Sequence, residues 1–266
     1  MGGAGDMRMI KVNGVELHVQ IDGDASAGST LVFANSLGTD LRLWDKIIPA
    51  LAQDRRIIRF DKRGHGLSVC PPGPYQMDDL VNDAEALLDT LGVTACDFVG
   101  LSIGGMIGQG LAAKRPDLIS RLVLSNSAAK MGDAMMWQTR MAAVESGGIE
   151  AIADGVMERW FSPQFRTFIE MQAWRAMLAR TPAEGYLGCC AAIAAADLAP
   201  STKQLTLPTL GIAGRHDGAS PPEVVKATID LIAGAQFAVI EEAGHLPVVE
   251  QPEEYLAILT RFLGRV

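Results

Sequence analysis

Ser102 lies between glycines in Gly100-Leu101-Ser102-Ile103-Gly104, directly after the apolar run "CDFVG" at 96–100. A G-x-S-x-G pentapeptide between a strand and a helix lifts a serine hydroxyl on a sharp turn, and the turn needs small residues two places before and after it. The helix that follows aims its N-terminus at the reacting oxygen, where N–H groups and the helix dipole stabilise negative charge. A hydroxyl is a weak nucleophile without a base. The chain has four histidines. His18 falls in an early strand at a position expected to be exposed, His65 in the glycine-rich turn of "DKRGHGLS", and His216 beside Asp217. His245, in "EEAGHLPVVEQP" between the last strand and the last helix, is the expected base. Asp217 in "GRHDGASPP" follows the preceding strand and is the expected acid that orients the imidazole. Its rivals Asp197 and Asp230 fall at the end of a helical stretch and within a helix. Two N–H donors are then needed for an oxyanion. Ile103, immediately after the serine, supplies one; Leu37 in "NSLG", after the strand "TLVFAN", is the expected second.

These residues need strands that end on one edge, and the pattern provides them. "VELHVQI" (15–21) alternates as a half-exposed antiparallel strand does, whereas "TLVFAN" (30–35) is continuously apolar, as a buried central strand is. "RIIRFD" (56–61), "CDFVG" (96–100), "RLVLSN" (121–126), "PTLGIAG" (208–214) and "QFAVIEE" (236–242) read as further strands. "MDDLVNDAEALLDTLGV" (77–93) is apolar at helical spacing and stops at Gly92; the helix after Ser102 ends before Pro116. Strand and helix in alternation predict an α/β fold with a mostly parallel sheet and helices on both faces. The loops at the C-terminal ends of parallel strands share one edge. Ser102, Asp217 and His245 all fall on such loops. From 127 to 200 the alternation gives way to helix alone. The expected organisation is a core domain of residues 1–126 and 201–266 interrupted by a helical cap of residues 127–200.

Composition narrows the function. The chain has 266 residues, 48% of them hydrophobic, and a net charge of −8. It has no Lys/Arg cluster, which argues against a nucleic-acid surface, and no apolar run long enough to predict a membrane span. Any preference for an anion must therefore come from local arginines. The four cysteines, two of them adjacent, have neither disulfide nor zinc spacing and are expected to be free thiols. The N-terminal "MGGAGDMRMI" lacks the apolar core of a signal peptide and carries Asp6 where a myristoylation pattern needs Ser or Thr. A cytoplasmic location is expected, and assembly into a homo-oligomer is left open.

The motifs "FANSLGTDLRLWD", "FDKRGHGLS" and "GLSIGGMIGQ" resemble the α/β-hydrolase superfamily. The insertion's "WQTRMAAVESGGIEAIADGVMERWF" and "TPAEGYLGCCAAI" are similar to the 3-oxoadipate enol-lactonase family within it. The core motifs are shared across hydrolases; those of the insertion discriminate among them. One departure is local: Arg215 and His216 precede the acid where small or acidic residues are expected. The resemblance implies hydrolysis of a small anionic lactone in the β-ketoadipate pathway through an acyl-serine, with no metal or cofactor. It also implies the α/β-hydrolase fold, with a mostly parallel eight-stranded sheet and an inserted helical cap that covers the site. The lactone's acetate arm then needs a cationic partner, for which the insertion offers Arg140, Arg159, Arg166, Arg175 and Arg180. Arg140 and Trp137 share a helical face, which suggests an arginine on the carboxylate and a tryptophan over the ring, with Trp160 as a further wall. The competing readings are a general carboxylesterase or cofactor-free perhydrolase on the same triad, and a non-enzymatic small-ligand receptor.

Overall fold

The computed structural model describes residues 6–24 and 28–264. The Met-Gly start read above lies outside the described residues. The strands are β1 (Asp6–Val12), β2 (Val15–Asp22), β3 (Thr30–Ala34), β4 (Arg56–Phe60), β5 (Cys96–Leu101), β6 (Ile119–Ser125), β7 (Thr209–Gly214) and β8 (Gln236–Ile240). They form one sheet in the order β1-β2-β4-β3-β5-β6-β7-β8. β2 runs antiparallel to both β1 and β4, and every other pairing is parallel. The seven strands read from the pattern are present; β1 is the eighth. Its signal is Asn13-Gly14, whose φ angles of 47° and 80° make the two-residue hairpin turn that Asn-Gly favours.

The helices among the described residues are α1 (Ile48–Leu51), α2 (Met77–Thr90), α3 (Ile103–Lys114), α4 (Ala134–Gly147), α5 (Glu150–Trp160), α6 (Met171–Ala179), α7 (Ala183–Ala195), α8 (Ala199–Thr202), α9 (Pro222–Ile229), α10 (Pro247–Glu250) and α11 (Pro252–Leu263). α2 starts on a reciprocal Gln76/Asp79 capping box, and Gly92 follows its C-cap with φ 67°, as a C′ glycine does. Between β6 and β7 the chain forms α4 to α8. None of the helices is long and apolar enough to cross a membrane.

Two neighbouring residues of β3 show how the sheet is covered on both sides, because successive side chains point to opposite faces. The Phe33 ring lies 4.6 Å from that of Trp44, which in turn meets Tyr255 of α11 at 6.4 Å. Ala34 instead lies against Gly104 of α3. β5 and β7 are buried along their whole length, which is why their sequences are mostly apolar rather than alternating; the buried Asp97 of β5 is paired with Arg121. β3 sits between β4 and β5, so the strand order reverses there. The loops after β3 and β5 diverge and leave a crevice at the strands' C-terminal ends.

The sequence places His18 at an exposed position, and the structure corrects this. His18 is 6% exposed, with Nδ1 2.7 Å from Asp61 and its backbone N–H donating to Ser68 Oγ. β2 is an interior strand here, and the segment after β4 folds back over the face that alternation alone assigns to solvent. The four cysteines are free, and Cys96, Cys189 and Cys190 are buried.

Candidate active site

β5 delivers Ser102 into a backbone conformation (φ 58°, ψ −121°) that non-glycine residues rarely occupy. Strain of about 1–3 kcal/mol is typical of such angles. The surroundings hold it: Ser102 N–H donates to Ser125 C=O at 2.9 Å, and Ser127 Oγ donates to Ser102 C=O at 2.7 Å. Close packing accounts for two of the flanking glycines. A Cβ on Gly104 would sit 2.1 Å from Ala34 C=O, and one on Gly100 would sit 2.2 Å from Gly104 C=O. Helix α3 can approach β3 and β5 this closely only without those side chains. Ser102 thereby caps α3, with its hydroxyl at the positive end of the helix.

Asp217, on the loop after β7, is buried and fully engaged. Oδ1 accepts from Ala219 N–H at 2.7 Å and Ser220 N–H at 2.9 Å; Oδ2 accepts from Asn126 Nδ2 at 2.9 Å and faces His245 Nδ1 at 2.8 Å. Burial pushes its carboxyl up, but the His245 ring and these hydrogen bonds outweigh burial and hold it below the ordinary aspartate value. The carboxylate accepts from Nδ1–H, which leaves Nε2 of His245 directed at the cavity as a proton acceptor. Nε2 lies 3.4 Å from Ser36 Oγ. Ser102 Oγ makes no hydrogen bond among the described residues, yet Ser102, Ser36 and His245 line one cavity. Catalytic hydrogen bonds are often loose before a substrate is bound. The rival acids are elsewhere: Asp197 pairs with Lys130 and Asp230 with Lys226, both on the surface. Arg215 and His216 are exposed, and Arg215 is held by Glu241, so neither faces the acid's partner.

Leu37 and Ile103, the two expected N–H donors, have backbone N–H groups with no acceptor among the described residues. The next N–H, that of Gly38, is already taken by His65 Nε2 at 3.0 Å.

The remaining wall of the cavity comes from α4, α5 and α7. Trp137, Arg140, Trp160 and Tyr186 all line it, as does Arg159. Arg140 stacks on the Trp137 ring at 4.9 Å, as the i, i+3 spacing predicts, and Trp137 is anchored by its own N–H on Met131 C=O at 2.7 Å. Neither Arg140 nor Arg159 has an ion-pair partner among the described residues. Burial and the neighbouring Arg140 charge both lower Arg159 from the ordinary arginine value. Of the other arginines read from the sequence, Arg175 is taken by Glu150 and Asp154, and Arg166 and Arg180 do not line this cavity. A larger cavity of about 440 Å³ lies beside His18, Arg42 and Arg180. The acids in its wall are satisfied, Asp61 by His18 and Asp40 by Arg42, and Ser102 is not part of it.

Helix α5 is tied to both loops that carry the acid and the base. The carbonyls of its last turn have no partner within the helix. Arg159 C=O accepts from Gly218 N–H at 3.1 Å and Trp160 C=O from His245 N–H at 2.7 Å. Glu250 adds a second tie, accepting from Gly244 N–H at 2.7 Å and Ser162 N–H at 3.0 Å. Four contributors escaped the sequence reading. Ser36 and Asn126 are single polar residues with no motif of their own, and Glu250 lies in a charged helix end. The tie through Arg159 and Trp160 is made by backbone atoms, which no side-chain pattern reports.

The profile of the Alpha/beta hydrolase family matches residues 31–258. The chain is 37% identical to 3-oxoadipate enol-lactonase 2 of Acinetobacter baylyi over 241 residues, which span 87% of this chain and 89% of that protein. It is 34% identical to 3-oxoadipate enol-lactonase 1 of the same organism, over 95% of each chain. Among solved structures, the enol-lactonase from Burkholderia xenovorans superposes with a TM-score of 0.93 at 37% identity, covering 96% of this chain and 99% of that one.

Proposed function

From the premise that the chain belongs to the alpha/beta hydrolase family, we propose that it is a serine hydrolase that opens 3-oxoadipate enol-lactone to 3-oxoadipate. The observation that carries the substrate class is the pair Arg140 and Arg159. Two guanidinium groups without carboxylate partners line the cavity that holds Ser102 and His245. Both are half-buried, and a partly desolvated cation favours a counter-charge, which the acetate arm of the lactone provides. The relatives named above support the choice of lactone.

In this reading His245 Nε2 takes the Ser102 proton as Oγ attacks the lactone carbonyl. Asp217 holds the ring in the required tautomer and stabilises the imidazolium that forms. The carbonyl oxygen becomes an alkoxide, stabilised by the Leu37 and Ile103 N–H groups. Collapse of the tetrahedral intermediate breaks the ring C–O bond and leaves an enolate on the same molecule, now acylated on Ser102. His245 returns its proton to the enolate oxygen, and the enol relaxes to the ketone. A water deprotonated by His245 then attacks the acyl carbon; its oxygen enters the new carboxylate, and Ser102 recovers a proton. Trp137 and Trp160 flank the lactone ring. In this reading a helical cap of residues 127–200 covers the site, whose triad belongs to a core of residues 1–126 and 201–266.

The test is direct. Purified protein is mixed with 3-oxoadipate enol-lactone and, separately, with neutral p-nitrophenyl esters. Loss of the lactone's ultraviolet absorbance, with kcat/KM at least about a hundredfold above that for the neutral esters, supports the proposal. Equal or better turnover of the esters replaces it with a general carboxylesterase.

A further inference from the structure

Two buried side chains from the segment after β4 hold the Leu37 loop from behind. Lys62 is 3% exposed, and its ammonium donates to Ser36 C=O at 2.7 Å and more weakly to Thr39 C=O at 3.4 Å. No carboxylate among the described residues is within ion-pair distance of it. Burying an ammonium against carbonyls alone is costly, so its placement calls for a reason. Ser36 C=O and Leu37 N–H belong to one peptide unit. A positive charge at the carbonyl end draws electron density from the nitrogen and makes the N–H at the other end a stronger donor. His65 complements this: its Nε2 accepts the Gly38 N–H, so the loop presents Leu37 and not Gly38 to the cavity.

We propose that Lys62 is a positioning residue for catalysis: its ammonium polarises the Ser36–Leu37 peptide, so that Leu37 N–H becomes a charge-assisted donor to the oxyanion. This rests on the reading of Leu37 as an oxyanion donor, and it holds for any ester the site hydrolyses.

The groups around Lys62 permit a pH test. Burial lowers it to about 8, against the opposing pull of Cys189, Asp61 and Asp40. Cys189 of α7 is itself pushed up to about 12 by burial, and burial together with the Lys62 charge holds His65 well below the ordinary histidine value. Asp61 and Asp40 are engaged by His18 and Arg42. Lys62 is charged below about pH 8 and neutral above it. Oxyanion stabilisation is therefore full on the acid side and weakens as pH rises.

The experiment measures kcat and KM from about pH 6.5 to 9.5 for wild type, Lys62→Met and Lys62→Arg, with the enol-lactone and with p-nitrophenyl acetate. Wild-type kcat is expected to step down about three- to tenfold through about pH 8, with KM nearly constant. Lys62→Met starts about tenfold lower in kcat at neutral pH and shows no step. Lys62→Arg keeps its charge throughout and also shows no step. In parallel, the Leu37 amide proton resonance of the wild type should titrate with a midpoint of about 8, which needs no variant to fold. A step that persists in Lys62→Met, or a Leu37 amide that does not titrate, overturns the proposal. If the ester is hydrolysed and the lactone is not, the substrate reading fails, and the ester's pH step still decides the role of Lys62.

Discussion

Asp217 shows how the charge at this site is set by its surroundings. Burial works against its ionisation, and the His245 ring, the Ser220 N–H and Asn126 reverse that balance. Replacing the carboxylate with an amide of the same shape keeps the space and loses the charge and tautomer control. Asp217→Asn is accordingly expected to lower kcat about 10⁴-fold, and Ser102→Ala at least as much, with circular dichroism and thermal midpoint close to wild type. Steady-state kinetics on the enol-lactone check both. The two arginines make a different kind of prediction. Arg140→Ala and Arg159→Ala should each raise KM for the anionic lactone about ten- to a hundredfold, the range of a hydrogen bond to a charged group. A neutral ester should respond less than about threefold. Equal changes for both substrates would mean that the arginines pack the wall without reading charge. At this scale the sequence was legible where a residue carried a local signature. Ser102 had its glycines, and Asp217 and His245 had their places after strands. Ser36 reaches His245 across 209 residues and Asn126 reaches Asp217 across 91, distances at which no local pattern exists.

At the scale of elements, the site depends on how closely α3 approaches β3. The Gly104–Ala34 contact leaves no room for even one carbon. Gly104→Ala must push helix from strand, and a loss of about 1–3 kcal/mol is expected. Chemical denaturation would measure it, and a drop in kcat should accompany it because the helix carries Ile103. By contrast Gly155, whose Cβ would meet open space, should accept alanine and gain slightly from better helix propensity. The elements themselves were the most legible part of the chain. Buried parallel strands announce themselves as apolar runs bounded by turns, and α2 by its period and Gly92. β1 was harder because Asp6–Val12 alternates weakly and leaves Met7 and Met9 exposed at 66% and 54%. Its hairpin turn was the better signal. His18 was misplaced because alternation reports which face a residue is on, not whether a later segment covers that face.

At the scale of the whole molecule, the space at the site is small. The cavity at Ser102 measures about 60 Å³, whereas pockets that hold small molecules usually offer about 300–1,000 Å³. If the substrate is the proposed lactone, the helices between β6 and β7 are expected to move outward to admit it. Hydrogen exchange should show the consequence: amides of α4 and α7 exchange faster than those of β5 and β7, and an unreactive dicarboxylate slows the helices alone. Uniform protection across all four would mean that these helices stay in place and that substrate enters by another route. The motion has a fixed point, because the last turn of α5 holds the Gly218 and His245 amides through its own carbonyls. That point is also a seam for protein engineering. A segment 127–200 transplanted from a relative would replace the two carbonyls on which the loops of Asp217 and His245 hang. A graft that leaves 159–162 with the recipient and exchanges only the helices on either side would change what the enzyme recognises while the machinery that cleaves stays in register.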